Sequence, residues 1–268
     1  MAFRAPPEPV RPYVREYCGY TERTPGTFRR HEFPIPQVVL IFEFGPPLRI
    51  YGADDESRFD RFPGGFAAGL GEATAICEHD GYQSGMEVKL TPIGARLFFD
   101  VPMTELANRI VALRDLLRPT ERDISARLSD ARDWDARFDL LDDFIARRIA
   151  SARDRTHPAR RAIRRIEETG GQLDIRTLAR ELGYSQKHLI ALFRDQVGLP
   201  PKLVARLFRF DRVIQHLRAG SPGTWAEIAA AYGYFDQAHL NREMRLFAGT
   251  TPTTARSLLS GVAPPPSA

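Results

Sequence analysis

Apolar and polar positions over residues 173–252 follow one short pattern written twice. The first copy, LDIRTLARELGYSQKHLIALFRDQVGLPP, ends at Pro201, and the second, TWAEIAAAYGYFDQAHLNREMRLFAGTTP, starts at Thr224. Leu178-Ala179 aligns with Ile228-Ala229, Gly183-Tyr184 with Gly233-Tyr234, Phe193 with Met244, and Pro201 with Pro252. The offset grows from 50 to 51 near Phe235, so the second copy carries one extra residue at its turn. In the first copy Leu178, Ala179 and Leu182 recur at helical spacing. Gly183 stands where a left-handed residue ends a helix, and Ser185 can cap the next one. That next helix lines one face with Leu189, Leu192 and Phe193. The second copy opens on a capping box, Thr224-x-x-Glu227, turns at Gly233, is capped by Asp236 and buries Leu240 and Met244. Ala179 and Ala229 sit where the two helices of each copy cross closely.

Short helix, tight turn and second helix make a helix-turn-helix, whose second helix can enter a DNA major groove. One copy is a weak signal, because any small helical hairpin shows similar spacing; two in tandem are a strong one. At LARELGYS, HLIALFRDQVGLPP and EIAAAYGYFDQAHLNREMRLFAGTTP the chain resembles the DNA-binding domain of the AraC/XylS family of bacterial transcription regulators, over roughly the last 110 residues. The resemblance implies two units joined by a long helix over residues 200–218, with both recognition helices in successive major-groove segments of double-stranded DNA. It also implies RNA polymerase as a partner if the protein activates.

The outward faces of the second helices give the candidate DNA-binding residues. In the first these are Ser185, Gln186, Lys187, Ile190, Ala191 and Arg194, with His188 at the margin. Gln186 suits adenine, Lys187 and Arg194 guanine or phosphate, and Ile190 a thymine methyl. The family commonly carries a long polar side chain, often Arg, where this chain has Ala191, which shifts the expectation there toward methyl or shape readout. The blander reading of Lys187 and Arg194 is phosphate positioning alone. In the second helix the residues are Gln237, Ala238, Asn241, Arg242 and Arg245. Asn241 suits adenine, Arg242 matches an arginine frequent in the family and suits guanine, and Arg245 suits phosphate. His239 lacks partners at metal-ligand spacing and reads as a packing residue.

Residues 1–120 are patterned differently. Short apolar runs at residues 37–44, 48–51, 66–70 and 87–90 are separated by turn signals at Gly45-Pro46-Pro47, Asp54-Asp55, Pro63-Gly64-Gly65 and Asp80-Gly81, which predicts a β-rich barrel or sandwich. Gly85-x-x-Val88-x-Leu90-x-Pro92-x-Gly94-Ala95 and Pro102-x-x-Glu105-Leu106 resemble, more loosely, the N-terminal domain of many AraC-type regulators, implying a cupin-like sensing domain for a small-molecule effector. From Met103 to about Ala152 the spacing turns helical. Leu106, Ile110, Leu113 and Leu117 make one stripe, followed by Ile124 and Leu128, then Trp134, Phe138, Leu141, Phe144 and Ile149. These stripes would pack on the chain's own barrel, or in part form a homodimer seam. The polar residues 151–158 read as a linker, and His157-Pro158 opens a helix that ends at Gly170-Gly171. The expectation is therefore α+β overall: a β-rich domain with accessory helices over residues 1–152, and an all-α domain with two helix-turn-helix units over residues 158–260.

Charge supports the division. Residues 1–154 hold 21 basic and 25 acidic side chains, and residues 155–268 hold 17 and 9, so the positive excess lies with the repeats. Phosphate attraction calls for that sign, and binding should weaken with salt. An Arg-rich composition explains Arg over Lys, but not the difference between halves. No run of eighteen apolar residues spans a membrane, and the N-terminus has no apolar signal core, so a cytoplasmic location is expected. Cys18 and Cys77 are too few for a disulfide scaffold or the zinc-ligating cluster of methyl-transfer repair regulators, and read as buried apolar residues rather than redox sensors. His31 and His79 stand singly beside Glu32 and Glu78, without the His-x-His pair of a metal-dependent cupin, so no metal is expected. Without a phosphate loop, nucleophile elbow or CxxC, no cofactor and no enzyme activity is expected. The rivals are an enzyme in the N-terminal barrel tethered to DNA and a non-specific architectural DNA binder. Phe33, Phe42, Phe44, Tyr51, Phe66 and Phe98 are core aromatics, some of which could line an effector pocket.

Overall fold

The computed structural model describes residues 1–52, 55–152 and 157–260. Asp54, part of one expected turn, and residues 153–156 of the expected linker lie outside these residues. The N-terminal half runs β1 (Ala2–Arg4), β2 (Val14–Glu32), β3 (Val38–Glu43), β4 (Arg49–Gly52), β5 (Asp55–Asp60), β6 (Phe66–Ala68), β7 (Ala75–Leu90), α1 (Pro92–Phe99), β8 (Ile110–Ala112), α2 (Leu113–Leu116), α3 (Ile124–Asp130) and α4 (Trp134–Ser151). Every strand pairing is antiparallel, in the order β1-β2-β7-β3-β6-β8 with β4 carrying β5. The sheet is organised on β7. One side pairs with β2 from Val14↔Leu90 to Glu32↔Ala75; the other pairs with β3 near Leu90 and with β4 near Ala75. Among the described residues β1 and β8 have one neighbour each, so the expected barrel is an open, curled sheet.

Side-chain alternation along the strands divides that sheet into two faces. Val38, Leu40 and Phe42 on β3, and Met86, Val88 and Leu90 on β7, are buried in the main core against the helices. Val39 and Ile41, and Glu87 and Lys89, face a cavity instead. The main core thus lies outside the curl. There Phe98 meets Phe99 and Phe144 edge to face, at ring separations of 4.9 and 5.6 Å, an arrangement aromatic pairs favour. Phe138, Leu141, Phe144 and Ile145 of α4 are buried in the same core, so this stripe is covered within the chain and is not an exposed dimer seam.

Three expectations need correction. Residues 103–117 are not one amphipathic helix: Met103–Glu105 is a 3-10 turn, Asn108 adopts φ +57°, and Ile110–Ala112 is strand β8 paired with β6. Bonding to the β6 edge outweighs the 4-3-4 apolar spacing. Asp80-Gly81 does not end a strand but lies inside β7, at Gly81 φ +81°, opposite a register shift in β2. The long β2 and the helix α1 were not anticipated; Thr91 caps α1 by accepting from the Gly94 amide at 3.0 Å.

Glu43, at the end of β3, is buried and accepts from the Leu48 amide at 3.0 Å, while its Oε2 has no hydrogen-bond partner. Burial pushes its carboxyl up to about 7. A raised carboxyl binds its proton longer in the folded than in the unfolded chain. Stability is therefore full below the unfolded pKa and falls as pH rises toward 7. Glu43→Gln should flatten that decline, worth at most about 3 kcal/mol, in denaturation midpoints at pH 5 and pH 8. Parallel pH curves for the two proteins would refute the assignment.

The C-terminal half is α-helical: α5 (His157–Glu168), α6 (Ile175–Glu181), α7 (Gln186–Gln196), α8 (Pro201–Arg218), α9 (Trp225–Ala231), α10 (Gln237–Ala248) and α11 (Pro252–Ser260). Its apolar core is continuous with that of the N-terminal half. Polar contacts also cross between them: Arg15 pairs with Glu167 at 2.5 Å, and the Thr74 hydroxyl donates to the Phe247 carbonyl at 2.9 Å.

Candidate nucleic-acid interface

The two helix-turn-helix units are α6–α7 and α9–α10, and both are closed by the same backbone device. Gly183 adopts φ +74°, its amide donating to the Arg180 carbonyl (3.1 Å) and that of Tyr184 to the Ala179 carbonyl (2.9 Å). In the second unit Gly233 adopts φ +75°, with Gly233 bonded to Ala230 (3.3 Å) and Tyr234 to Ala229 (2.9 Å). This closure needs a left-handed residue, and glycine takes that conformation at least cost. The second helices then start on side-chain caps. Ser185 Oγ accepts from the His188 amide at 3.2 Å, and Asp236 Oδ1 from the His239 amide at 2.6 Å. Thr224 and Glu227 form the full capping box on α9.

These turns and caps fix which faces point outward. Leu189, Phe193, Leu240, Met244 and Phe247 are buried. Ser185, Gln186, Lys187, His188, Ile190, Ala191 and Arg194 are exposed on α7, and Gln237, Ala238, Arg242 and Arg245 on α10, with Asn241 half-buried. The candidate residues are thus gathered on two solvent-facing helix surfaces. His188 lies tilted against Tyr184 and His239 meets Tyr234 edge-on, with ring centroids 4.8 and 5.3 Å apart, so both histidines pack on the tyrosine that follows the turn glycine. The extra residue of the second copy, Phe235, is 93% exposed just before the α10 cap. Sequence reasoning gave it no role, although the change of offset marked the position.

The helix α8 braces the second unit through arginines spaced three residues apart. Arg206 forms a forked ion pair with Glu243 of α10, with Nε–Oε1 at 2.9 Å and Nη2–Oε1 at 2.7 Å. Arg209 donates to the Gly233 carbonyl at 2.9 Å and lies over the Tyr234 ring, and Arg212 lies over Tyr232. Part of the positive excess of this half is therefore engaged internally, including Arg165 with Glu168 and Glu181. The charges left on the outward faces of α7 and α10 are Lys187, Arg194, Arg242 and Arg245.

The same helix reaches the other half of the chain. The curled sheet encloses a cavity of about 830 Å³, whose lining includes Asp211, Gln215 and Arg218 of α8 and Leu258 and Leu259 of α11. One wall is apolar, from Ile41, Ile50, Phe66 and Ile110; the other is polar, from alternate residues of β2 and β7 such as Glu16, Tyr20, Glu22, Glu87 and Lys89. These polar residues were missed because charged positions alternating with apolar ones usually mark a solvent face. Cys18 and Cys77 also line it, and burial, then neighbouring carboxylates, pushes the Cys18 thiol up to about 11 and the Cys77 thiol upward too. Thiols held protonated are poor nucleophiles. Among the described residues no three His, Cys, Asp or Glu side chains are grouped as a metal site, and no helix is long and apolar enough to cross a membrane.

Two helix-turn-helix units braced by one helix stand beside a curled antiparallel sheet that borders a cavity. The family described as a helix-turn-helix domain matches residues 178–257, and a domain of unknown function (DUF6597) matches residues 3–112. A search of curated proteins finds no match. Among solved structures, ToxT from Vibrio cholerae (P21 form) is similar at 9% identity and a TM-score of 0.52, covering 91% of this chain and 99% of that one. ToxT of strain SCE256 with a bound unsaturated fatty acid is similar at 11% identity and a TM-score of 0.51, covering 94% and 98%. At these identities the likeness is one of fold. Over residues 178–257 the chain thus carries a helix-turn-helix domain of the kind that family model describes.

Proposed function

We propose that this protein is a non-enzymatic, sequence-specific DNA-binding regulator that places α7 and α10 in successive major-groove segments. The observation that carries this reading is the exposure of both polar helix faces on a domain braced through α8. Gln186 and Asn241 would read adenine, Arg242 guanine and Ile190 a thymine methyl, with Lys187, Arg194 and Arg245 on guanine or phosphate. Ser185, His188, Ala191, Gln237 and Ala238 would complete the contact surface by close approach. Arg242→Ala should weaken binding to the cognate site by about 1–3 kcal/mol and relax choice at one base, measured by gel shift on a panel of single-base variants. An equal loss on every sequence would move Arg242 to a phosphate. Competition with random DNA tests the reading as a whole, since a merely architectural binder would show no preference.

The cavity is read as the effector site. A fatty acid is bound by ToxT in its solved complex, and here the cavity lining includes α8, the helix that holds the second unit. A ligand that contacts α8 differently in two domain arrangements would bias the presentation of α10. The buried α4 stripe gives no support to a dimer through that helix. A homodimer would use another surface, and RNA polymerase would be a further partner of an activator.

A further inference from the structure

We propose that the cavity takes a cationic amphiphile, a molecule with an apolar or aromatic body ending in an amine or quaternary ammonium. This deepens the effector reading above and rests on it. Charge is unevenly matched on the polar wall. Lys89 is shared by Glu16 at 3.0 Å and Glu87 at 3.1 Å, and Arg30 is taken by Glu32 at 2.5 Å. Glu22 accepts from the buried Gln83 amide and, among the described residues, has His79 at 3.8 Å as its ion-pair partner. The lining as a whole carries seven Asp or Glu against five Arg or Lys and the Met1 ammonium.

A carboxylate ligand would add to a lining that is acidic on balance; an ammonium would offset it. The opposite wall suits the same ligand. Phe62 and Phe66 pair at 5.7 Å and line the cavity, giving an aromatic face for a cation and apolar surface for its body. The raised thiol of Cys18, held up by burial and then by Glu87 and Glu16, fits a cavity of negative potential. The volume of about 830 Å³ is in the range of sites for drug-sized ligands.

The test titrates the full chain by calorimetry with two matched pairs below micelle formation: phenylbutylamine against phenylbutyrate, and dodecylamine against dodecanoate. The amines should bind at least about tenfold tighter than their partners and raise the melting temperature. Glu87→Gln and Glu22→Gln, which preserve shape, should each weaken amine binding, with the melting temperatures of the unliganded variants showing that both remain folded. Carboxylates binding as tightly as the amines, neither class binding, or amine binding unaltered in both variants overturns the proposal. Gel shifts of the same samples keep the two readings apart, because loss of DNA preference with amine binding intact removes the regulator reading and not the ligand class.

Discussion

Glu243→Ala is expected to destabilise the C-terminal domain by about 3 kcal/mol and to reduce DNA affinity with it. Glu243 is buried on the inner face of α10 and receives the fork of Arg206 from α8, while Arg206 also lies over the Phe247 ring. Removing the carboxylate leaves a guanidinium in a largely desolvated position, and breaking such a pair costs about 3–5 kcal/mol. The partial exposure of Arg206, 28% of its side chain, places the effect at the lower end. The control is Asp143→Ala, which removes an exposed helix pair with Arg147 and should cost no more than about 0.5 kcal/mol. Chemical denaturation of the three proteins decides it. Similar small losses for both substitutions would mean that the pair does not brace α10.

The second large effect is at Gly171, where α5 ends against α8. The residue adopts φ +77°, and a Cβ there would stand 1.9 Å from the Ala205 carbonyl oxygen. Gly171→Ala therefore combines left-handed strain of about 1–2 kcal/mol with overpacking of about 1–3 kcal/mol. Gly183 separates the two causes: its φ is +74°, but nothing lies within 4 Å of its Cβ position. Gly183→Ala should show only the conformational part. Equal melting temperatures for the two variants would show that α5 and α8 do not approach as closely as described.

The C-terminal half was legible in the chain because its determinants are local. Glycine, cap and apolar stripe fall within a few residues of one another, and Gly183, Ser185, Gly233 and Asp236 all do what their positions imply. The sheet was less legible because its determinants are not local. The register of β2 on β7 joins residues as far apart as Val14 and Leu90, and neither strand announces it. The misread residues 103–117 show the same limit, since the partner of β8 lies some forty residues upstream in β6. The outward faces of α7 and α10 followed from helical periodicity. The polar wall of the cavity did not, because alternation tells two faces apart without saying which meets water.

Ile41, Leu48, Ile50 and Phe66 form a small apolar core on the inner surface, but the polar side chains of β2 and β7 beside them carry little of the burial that holds the strands in place. Exchanging them should disturb folding less than exchanging their neighbours one position along the same strand. The alternate positions of β2 and β7 can therefore change the chemistry of the cavity while the architecture is kept.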